Sequence, residues 1–129
     1  MNVVADTNIF LAVALDEPEK DRIVDLTAGV DAIAPEILPY EVANALSAMV
    51  KRNILASDEA FLALAVITAI PVRLIGIDIE QALKIAVDFN LYAYDAYFLQ
   101  CAQFLSCPII TLDKRMKQVA LELGIEVLE

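Results

Sequence analysis

The stretch VVADTNIFLAVAL, residues 3–15, contains the clearest structural signal in the chain. Val3–Ala5 is a short apolar run of the kind that forms a buried strand, and it ends at Asp6. The apolar segment that follows predicts a helix from Thr7 to about Leu15. A buried strand that passes directly into a helix, with an acid at the junction, is typical of an α/β protein.

The same alternation of short apolar runs and longer amphipathic segments continues through the rest of the chain. Four further strands are predicted at Asp31–Ala34, Val72–Ile75, Pro108–Thr111 and Ile125–Leu128. Six further helices are predicted at about Glu19–Ala28, Leu38–Arg52, Ser57–Ile70, Asp78–Phe89, Tyr94–Leu105 and Lys114–Leu123, with Ser57 and Asp78 as caps. Strands separated by helices pair in parallel through crossover connections. We therefore expect one domain, residues 1–129, with a central, mostly parallel five-stranded sheet flanked by helices.

Charge and missing residue types limit the possible functions. Lys and Arg total 9 against 19 Asp and Glu, and the net charge of −10 disfavours nucleic acid as a partner without excluding it. The chain has no histidine, which excludes Ser–His and Cys–His catalysis and a zinc site with histidine ligands. Cys101 and Cys107 have no CxxC spacing, so we expect free, buried thiols.

No segment has the features of a signal peptide or a membrane span. The first apolar run is interrupted by Asp6 and has no basic flank. The uncharged run at residues 60–72 is shorter than the roughly 20 residues that cross a bilayer. We therefore expect a soluble cytoplasmic protein with no membrane partner.

Four acids stand out by their positions. Asp6 and Asp113 follow predicted strands, where ligands bind in parallel α/β sheets, although each could equally be a helix N-cap. Glu41 lies in the first turn of a predicted helix, where an acid also complements the helix dipole. Asp95 occupies an otherwise apolar segment, where a buried carboxylate is costly unless it has a partner, although it could also be a first-turn acid that faces water.

Convergence of these acids on one cleft would require a cation. Two unit charges about 4 Å apart repel by about 4 kcal/mol at an effective dielectric constant near 20. Such a cluster must take up protons or bind a cation, and a set of oxygen ligands favours Mg²⁺ or Mn²⁺. The sequence therefore predicts a divalent metal site formed by four acids. They are Asp6, Glu41, Asp95 and Asp113.

The order and context of these acids resemble those of PIN domains, in particular the small VapC-type toxins of toxin–antitoxin pairs. The matching segments are Val3–Asn8, Pro39–Leu46, Tyr94–Tyr97 and Ile110–Asp113. The resemblance covers essentially the whole chain and implies a three-layer PIN-like fold, metal-assisted hydrolysis of RNA phosphodiester bonds, and the four acids as catalytic and metal-binding residues. It also implies Asn8 and Thr111 as supporting residues, a homodimer, and a cognate antitoxin protein that blocks the site.

Groups that could contact RNA are few. Lys114 and Arg115 come directly after the last of the four acids and are a candidate phosphate clamp, or else only solvated helix surface. Tyr40, Tyr94 and Tyr97 flank the acids and could stack on bases, although we expect them to pack.

The predicted helix at Ser57–Ile70 is apolar on most of its sides. One face of this helix is expected to lie in the core. The remaining apolar side chains could form a dimer interface or a groove for an antitoxin helix.

Three alternatives come from other classes of protein. The strongest is a non-catalytic interaction module on the PIN fold, which the intact set of four acids disfavours. A phosphotransferase of the haloacid-dehalogenase kind needs a second Asp two residues after Asp6, where this chain has Asn8. A response-regulator receiver domain needs a different distribution of acids and a Lys at the end of a late strand, whereas Lys114 follows Asp113.

Overall fold

The computed structural model of the protein describes all 129 residues and confirms the predicted α/β fold. One parallel sheet contains β1 (Asn2–Ala5), β2 (Asp31–Pro35), β3 (Val72–Ile75) and β4 (Ile109–Ile110). The strand order is β3-β2-β1-β4. The flanking helices are α1 (Thr7–Ala14), α2 (Lys20–Leu26), α3 (Leu38–Lys51), α4 (Ser57–Thr68), α5 (Ile79–Phe89), α6 (Ala93–Leu105) and α7 (Lys114–Glu122).

β1 is an inner strand, and its sequence explains that position. Val3, Val4 and Ala5 are all buried. Inner strands of parallel sheets are covered on both faces, so they are continuous apolar runs. β1 lies between β2 and β4, with Ala5 opposite Ile110. The residues that follow these two strands therefore meet at one edge of the sheet.

The predicted fifth strand, Ile125–Leu128, is not formed, and the sheet has four strands. Val127 makes a single isolated parallel bridge with Ile109. The Ile109 N–H donates to the Glu126 carbonyl and the Ile109 carbonyl accepts the Leu128 N–H, both at 2.9 Å, so the segment pairs with the two-residue β4 through Ile109 alone. A further strand on this side has almost no edge with which to pair.

The two predicted helix caps had different outcomes. Asp78 caps α5, and its carboxylate accepts a hydrogen bond from the backbone N–H of Gln81 at 3.1 Å. Ser57 is instead the first residue of α4, with Ala56 at the capping position. The Glu59 carboxylate accepts the Ala56 N–H at 2.9 Å, which satisfies this helix end without a serine hydroxyl.

The core fixes the position of α6, which carries one of the four acids. This helix packs against both β1 and β2. Its Phe98, Leu99 and Ala102 are completely buried in the single hydrophobic core of the chain. The first turn of α6 is thereby held at the edge of the sheet where β1 and β4 end.

Two other sequence features have simple outcomes. Both cysteines are free thiols: Cys101 is buried within α6, and Cys107 is only half-buried. Burial, with a smaller effect from Cys107, raises the pKa of the Cys101 thiol to about 12. None of the helices is both long enough and apolar enough to cross a membrane.

Candidate active site

Asp6 lies at the centre of the candidate site, directly after β1. Its backbone N–H donates to the carbonyl of Ile110 at 3.1 Å, so its position is fixed by β4. The buried carboxylate accepts the Thr7 N–H at 2.8 Å and the Thr111 hydroxyl at 2.8 Å. Asp6 is therefore the N-cap of α1, and the same carboxylate lies at the candidate site.

Thr7 connects two of the acids and was not singled out from the sequence. Its N–H donates to Asp6, and its hydroxyl donates to the Glu41 carboxylate at 2.5 Å. Glu41 lies 34 residues further along the chain, so this contact exists only in the folded protein. The available signal was a hydroxyl residue next to a strand-end acid at a helix start.

Glu41 and Asp95 lie in the first turns of α3 and α6. Burial raises the pKa of both carboxyl groups. The neighbouring charge of Asp95 raises the pKa of Glu41 further, and that of Asp113 raises the pKa of Asp95, while the Thr7 hydroxyl opposes the rise at Glu41. The two helix starts therefore face the same region.

Asp113 caps α7, where its carboxylate accepts the N–H of Met116 at 3.0 Å. Its own N–H donates to the hydroxyl oxygen of Thr111 at 3.1 Å, and the same hydroxyl donates to Asp6. Thr111 thus connects two of the predicted site acids. The helix-cap alternative is therefore correct for Asp113. In this position its charge is still close enough to raise the pKa of Asp95.

Electrostatic strain is greatest at Asp6. Burial is the main reason why its pKa rises from 3.8 to about 6, and the charges of Asp95 and Glu41 add to the rise. Hydrogen bonds from Thr111 and Thr7 lower the pKa without cancelling the effect of burial. The structure therefore brings all four predicted acids into one electrostatic cluster.

The donor chemistry of this cluster fits a hard divalent cation, but a coordination shell is not preformed. No three acidic or cysteine side chains are arranged to hold a metal ion together. Protein donors occupy part of the carboxylates of Asp6, Glu41 and Asp113. An ionised carboxylate has about four lone-pair sites, so each keeps capacity for Mg²⁺ or Mn²⁺.

The other predicted residues have more varied surroundings. The Asn8 side-chain oxygen accepts the Leu112 N–H at 3.3 Å, which joins the start of α1 to the segment after β4. Lys114 is exposed and forms no ion pair. The Arg115 guanidinium donates to the Phe89 carbonyl at 2.8 Å and to the Gln118 side chain, so the structure gives it a role at the end of α5.

The three tyrosines singled out from the sequence do not share one environment. Tyr97 packs against the core as expected, and its ring lies edge-on to Tyr94 with centroids 5.9 Å apart. Packing was the wrong expectation for Tyr40 and for much of Tyr94, which are 72 % and 57 % exposed. Aromatic surface is therefore present beside the acids.

Fold and site together define an α/β protein with a carboxylate cluster at the carboxyl edge of a parallel sheet. Ligands of such proteins bind at this edge. The chain belongs to the PIN domain family, because the family profile matches residues 3–122. PIN domains are generally nucleases, which supports a hydrolase at this site. No curated protein sequence matches the chain.

Solved structures of low sequence identity share the fold. The crystal structure of PAE2754 from Pyrobaculum aerophilum is similar with a TM-score of 0.65 and 18 % identity, over 96 % of both chains. The crystal structure of VapBC2 from Rickettsia felis, bound to a DNA fragment from their promoter, has a TM-score of 0.67 and 12 % identity, over 98 % of this chain and 97 % of that chain. The crystal structure of FitAcB from Neisseria gonorrhoeae has a TM-score of 0.63 and 16 % identity, over 98 % of this chain and 96 % of that chain.

Proposed function

We propose that this chain, as a single PIN domain of residues 1–129, is a metal-dependent endoribonuclease and the toxin of a toxin–antitoxin module. The observation that carries the proposal is the cluster around Asp6, whose carboxyl pKa is raised to about 6 by burial and by two further acids. Strongly perturbed carboxylates in a cluster are typical of functional sites, because a fold gains no stability from them. Family membership adds the expectation of nucleic acid hydrolysis.

Each acid has a distinct role in this proposal. Asp6 and Asp95 are the central ligands, and Glu41 and Asp113 complete the shell directly or through water. Mg²⁺ or Mn²⁺, when bound, would lower the pKa of a water and offset charge on the phosphate. Thr111 orients the Asp6 carboxylate, and Asn8 fixes the start of α1 against the segment that leads to Asp113.

The proposed partners are RNA, a second copy of the chain and an antitoxin protein, in the cytoplasm. The names VapBC2 and FitAcB of two structural neighbours support the toxin–antitoxin assignment. Phe61 and Leu62 on α4 are 71 % and 67 % exposed, which supplies apolar surface for the homodimer or for an antitoxin helix.

A non-catalytic interaction module is the second candidate, and one observation favours it: the acids do not form a ready-made coordination shell. Incubation of the purified protein with a mixed RNA pool, with and without Mn²⁺, separates the two functions. Cleavage that needs the metal and stops with a chelator supports the nuclease. Intact RNA at millimolar Mn²⁺, together with no calorimetric sign of metal binding, would refute it.

Thr7→Val is expected to weaken Mn²⁺ binding and cleavage by roughly 10- to 100-fold, as for other residues that orient metal ligands. Valine keeps the shape of threonine but removes the hydroxyl that holds Glu41. Calorimetry and initial cleavage rates measure the effect. Thr7→Ser is the matched control, because serine keeps the donor; equal metal affinity in the valine and serine variants would contradict this role.

Lys114→Gln is expected to weaken RNA binding and to reduce the slope of log affinity against log salt by about 0.7, the value for one phosphate contact on a single strand. Lys114 is exposed and has no ion-pair partner that competes with phosphate. Arg115→Gln is the matched control, because the Arg115 guanidinium already donates to Phe89 and Gln118. Binding is measured by fluorescence anisotropy. A larger loss of RNA affinity in the Arg115 variant than in the Lys114 variant would assign the phosphate contact to Arg115 instead.

A further inference from the structure

The strand β3 forms one edge of the sheet and leaves half of its backbone groups unpaired. The strand order gives β3 a neighbour on one side only, which is β2. The Ile75 carbonyl points to that side, because it accepts the N–H of Glu36, directly after β2, at 2.9 Å. Alternate residues of a strand direct their backbone groups to the same side, so Arg73 also pairs with β2, whereas Val72 and Leu74 face outward. No turn, loop or cap hydrogen bond of the backbone uses these outward groups. This edge can therefore accept a further strand.

An apolar pocket of about 200 Å³ lies beside this edge on one face of the sheet. Val72 and Leu74 line it from β3, and Leu74 is 43 % exposed. The side chains of α3 and α4 form its other walls, among them Leu38, Val42, Leu64 and Ile67. Side chains of a strand alternate between the two faces, so an added strand directs every second side chain toward this pocket. None of the four acids lines it.

The opposite face of the same edge carries one cation, Arg73, which is exposed and forms no ion pair. β3 contains no acid, although the net charge of the chain is −10. A charge on an edge strand discourages indiscriminate pairing, and an opposite charge directly across from it is favourable. A second copy paired antiparallel about Leu74 would place the two Arg73 side chains as diagonal neighbours on one face. Like charges therefore disfavour pairing of β3 with itself, and the edge fits an acidic strand better.

We propose that β3 is a docking edge for an extended, acidic segment of a partner protein, which adds a fifth strand to the sheet. Its apolar side chains enter the pocket beside Val72 and Leu74, and an acidic side chain lies against Arg73. Backbone hydrogen bonds supply the affinity, and the pocket and the cation select the sequence. The exposed Phe61 and Leu62 of α4 do not line this pocket, so the docking edge is a different surface. It uses no metal and no acid of the cluster, and it is independent of the proposed nuclease function.

The experiment titrates the full chain into a short, fluorescently labelled peptide in which valine and glutamate alternate, and it records anisotropy. A peptide with lysine in place of glutamate tests the charge, and one with its valines grouped together tests the alternation. Two further peptides carry methyl groups on the backbone nitrogens of either the valines or the glutamates. Only one of these sets faces β3, so one methylated peptide is expected to bind about 10-fold or more weakly and the other to bind like the parent peptide.

Two measurements on the protein locate the bound peptide. Arg73→Gln is expected to weaken binding of the glutamate peptide by about 2- to 5-fold, as for an exposed ion pair. Arg52→Gln is the matched control, because Arg52 is exposed at the end of α3 away from Leu38 and the pocket. Hydrogen exchange of the Leu74 amide should slow in the complex, whereas the Arg73 amide, already bonded within the sheet, should change little.

Three results would overturn the docking edge. The first is no binding of the alternating peptide at about 1 mM. The second is binding that neither the order of residues, the lysines nor either set of methyl groups changes. The third is a dimer of the chain, seen by light scattering, that the peptide dissociates, because the edge would then belong to a second copy. Each measurement is made without RNA or metal, so failure here leaves the nuclease untouched, and loss of cleavage leaves the docking edge untouched.

Discussion

Asp6→Asn and Asp95→Asn are each expected to reduce metal-dependent RNA cleavage by about a thousand-fold or more, since the metal contributes several kcal/mol to such reactions. Asparagine has nearly the same shape as aspartate but lacks the charge that holds a cation. Asp6 is the most buried of the four acids, and its carboxylate accepts two hydrogen bonds. Another carboxylate of the cluster therefore cannot easily take its place. The measurement is the initial rate of cleavage at saturating Mn²⁺.

Three controls separate this effect from unfolding or contamination. Asp25→Asn removes an exposed acid on α2, away from the cluster, and should leave the rate unchanged. Circular dichroism should show the same helix content in all variants. Calorimetry should show weaker Mn²⁺ binding only in the site variants. Equal rates in all proteins would indicate either a contaminating nuclease or a different active site.

The stability of the protein without metal is expected to increase as the pH falls from 7.5 toward 4. The Asp6 carboxyl has a pKa of about 6 in the folded protein against 3.8 as its ordinary value. Between these pH values the folded state binds a proton that the unfolded state does not bind, so protonation favours folding. Above about pH 6 that gain is lost. The free energy of unfolding is then lower by about 3 kcal/mol, since each pKa unit of difference corresponds to 1.36 kcal/mol. The raised pKa values of Glu41 and Asp95 act in the same direction.

Urea denaturation at a series of pH values tests this prediction, and Asp6→Asn isolates the residue. The variant lacks the buried charge, so it should be more stable than the parent protein at pH 7.5, and the difference should shrink as the pH falls. Mn²⁺ should stabilise the parent at pH 7.5 and have much less effect on the variant. If the free energy of unfolding changes with pH in the same way for both proteins, ionisation of the buried Asp6 carboxyl does not destabilise the fold.

The sequence was sufficient for most of the fold, because hydrophobic periodicity is a local property. Strands such as Val3–Ala5 and helices such as α5 are specified by their own residues. The exception was Ile125–Leu128, which has the composition of a strand but pairs with the two-residue β4 only through the bridge between Val127 and Ile109. Pairing depends on the neighbouring strand, and no pattern within the segment reports it.

The candidate site was predictable only in part, for a similar reason. The acids were identified because each stands at the end of a strand or the start of a helix, where the fold brings such positions together. Thr7 escaped notice because its contact with Glu41 joins two distant segments. The role of Arg115 depends on the Phe89 carbonyl at the end of α5, and the exposure of Tyr40 depends on what the fold leaves uncovered.

The hydrogen bond between Thr111 and Asp6 spans 105 residues and has a consequence for protein synthesis. Translation adds about 5–20 residues per second, so the ribosome makes Asp6 about 5–20 s before its hydroxyl partner. During that interval β4, Asp113 and helix α7 with its charged side chains have not yet been synthesised. A nascent chain therefore cannot assemble the proposed nuclease centre until almost the whole domain has emerged from the ribosome.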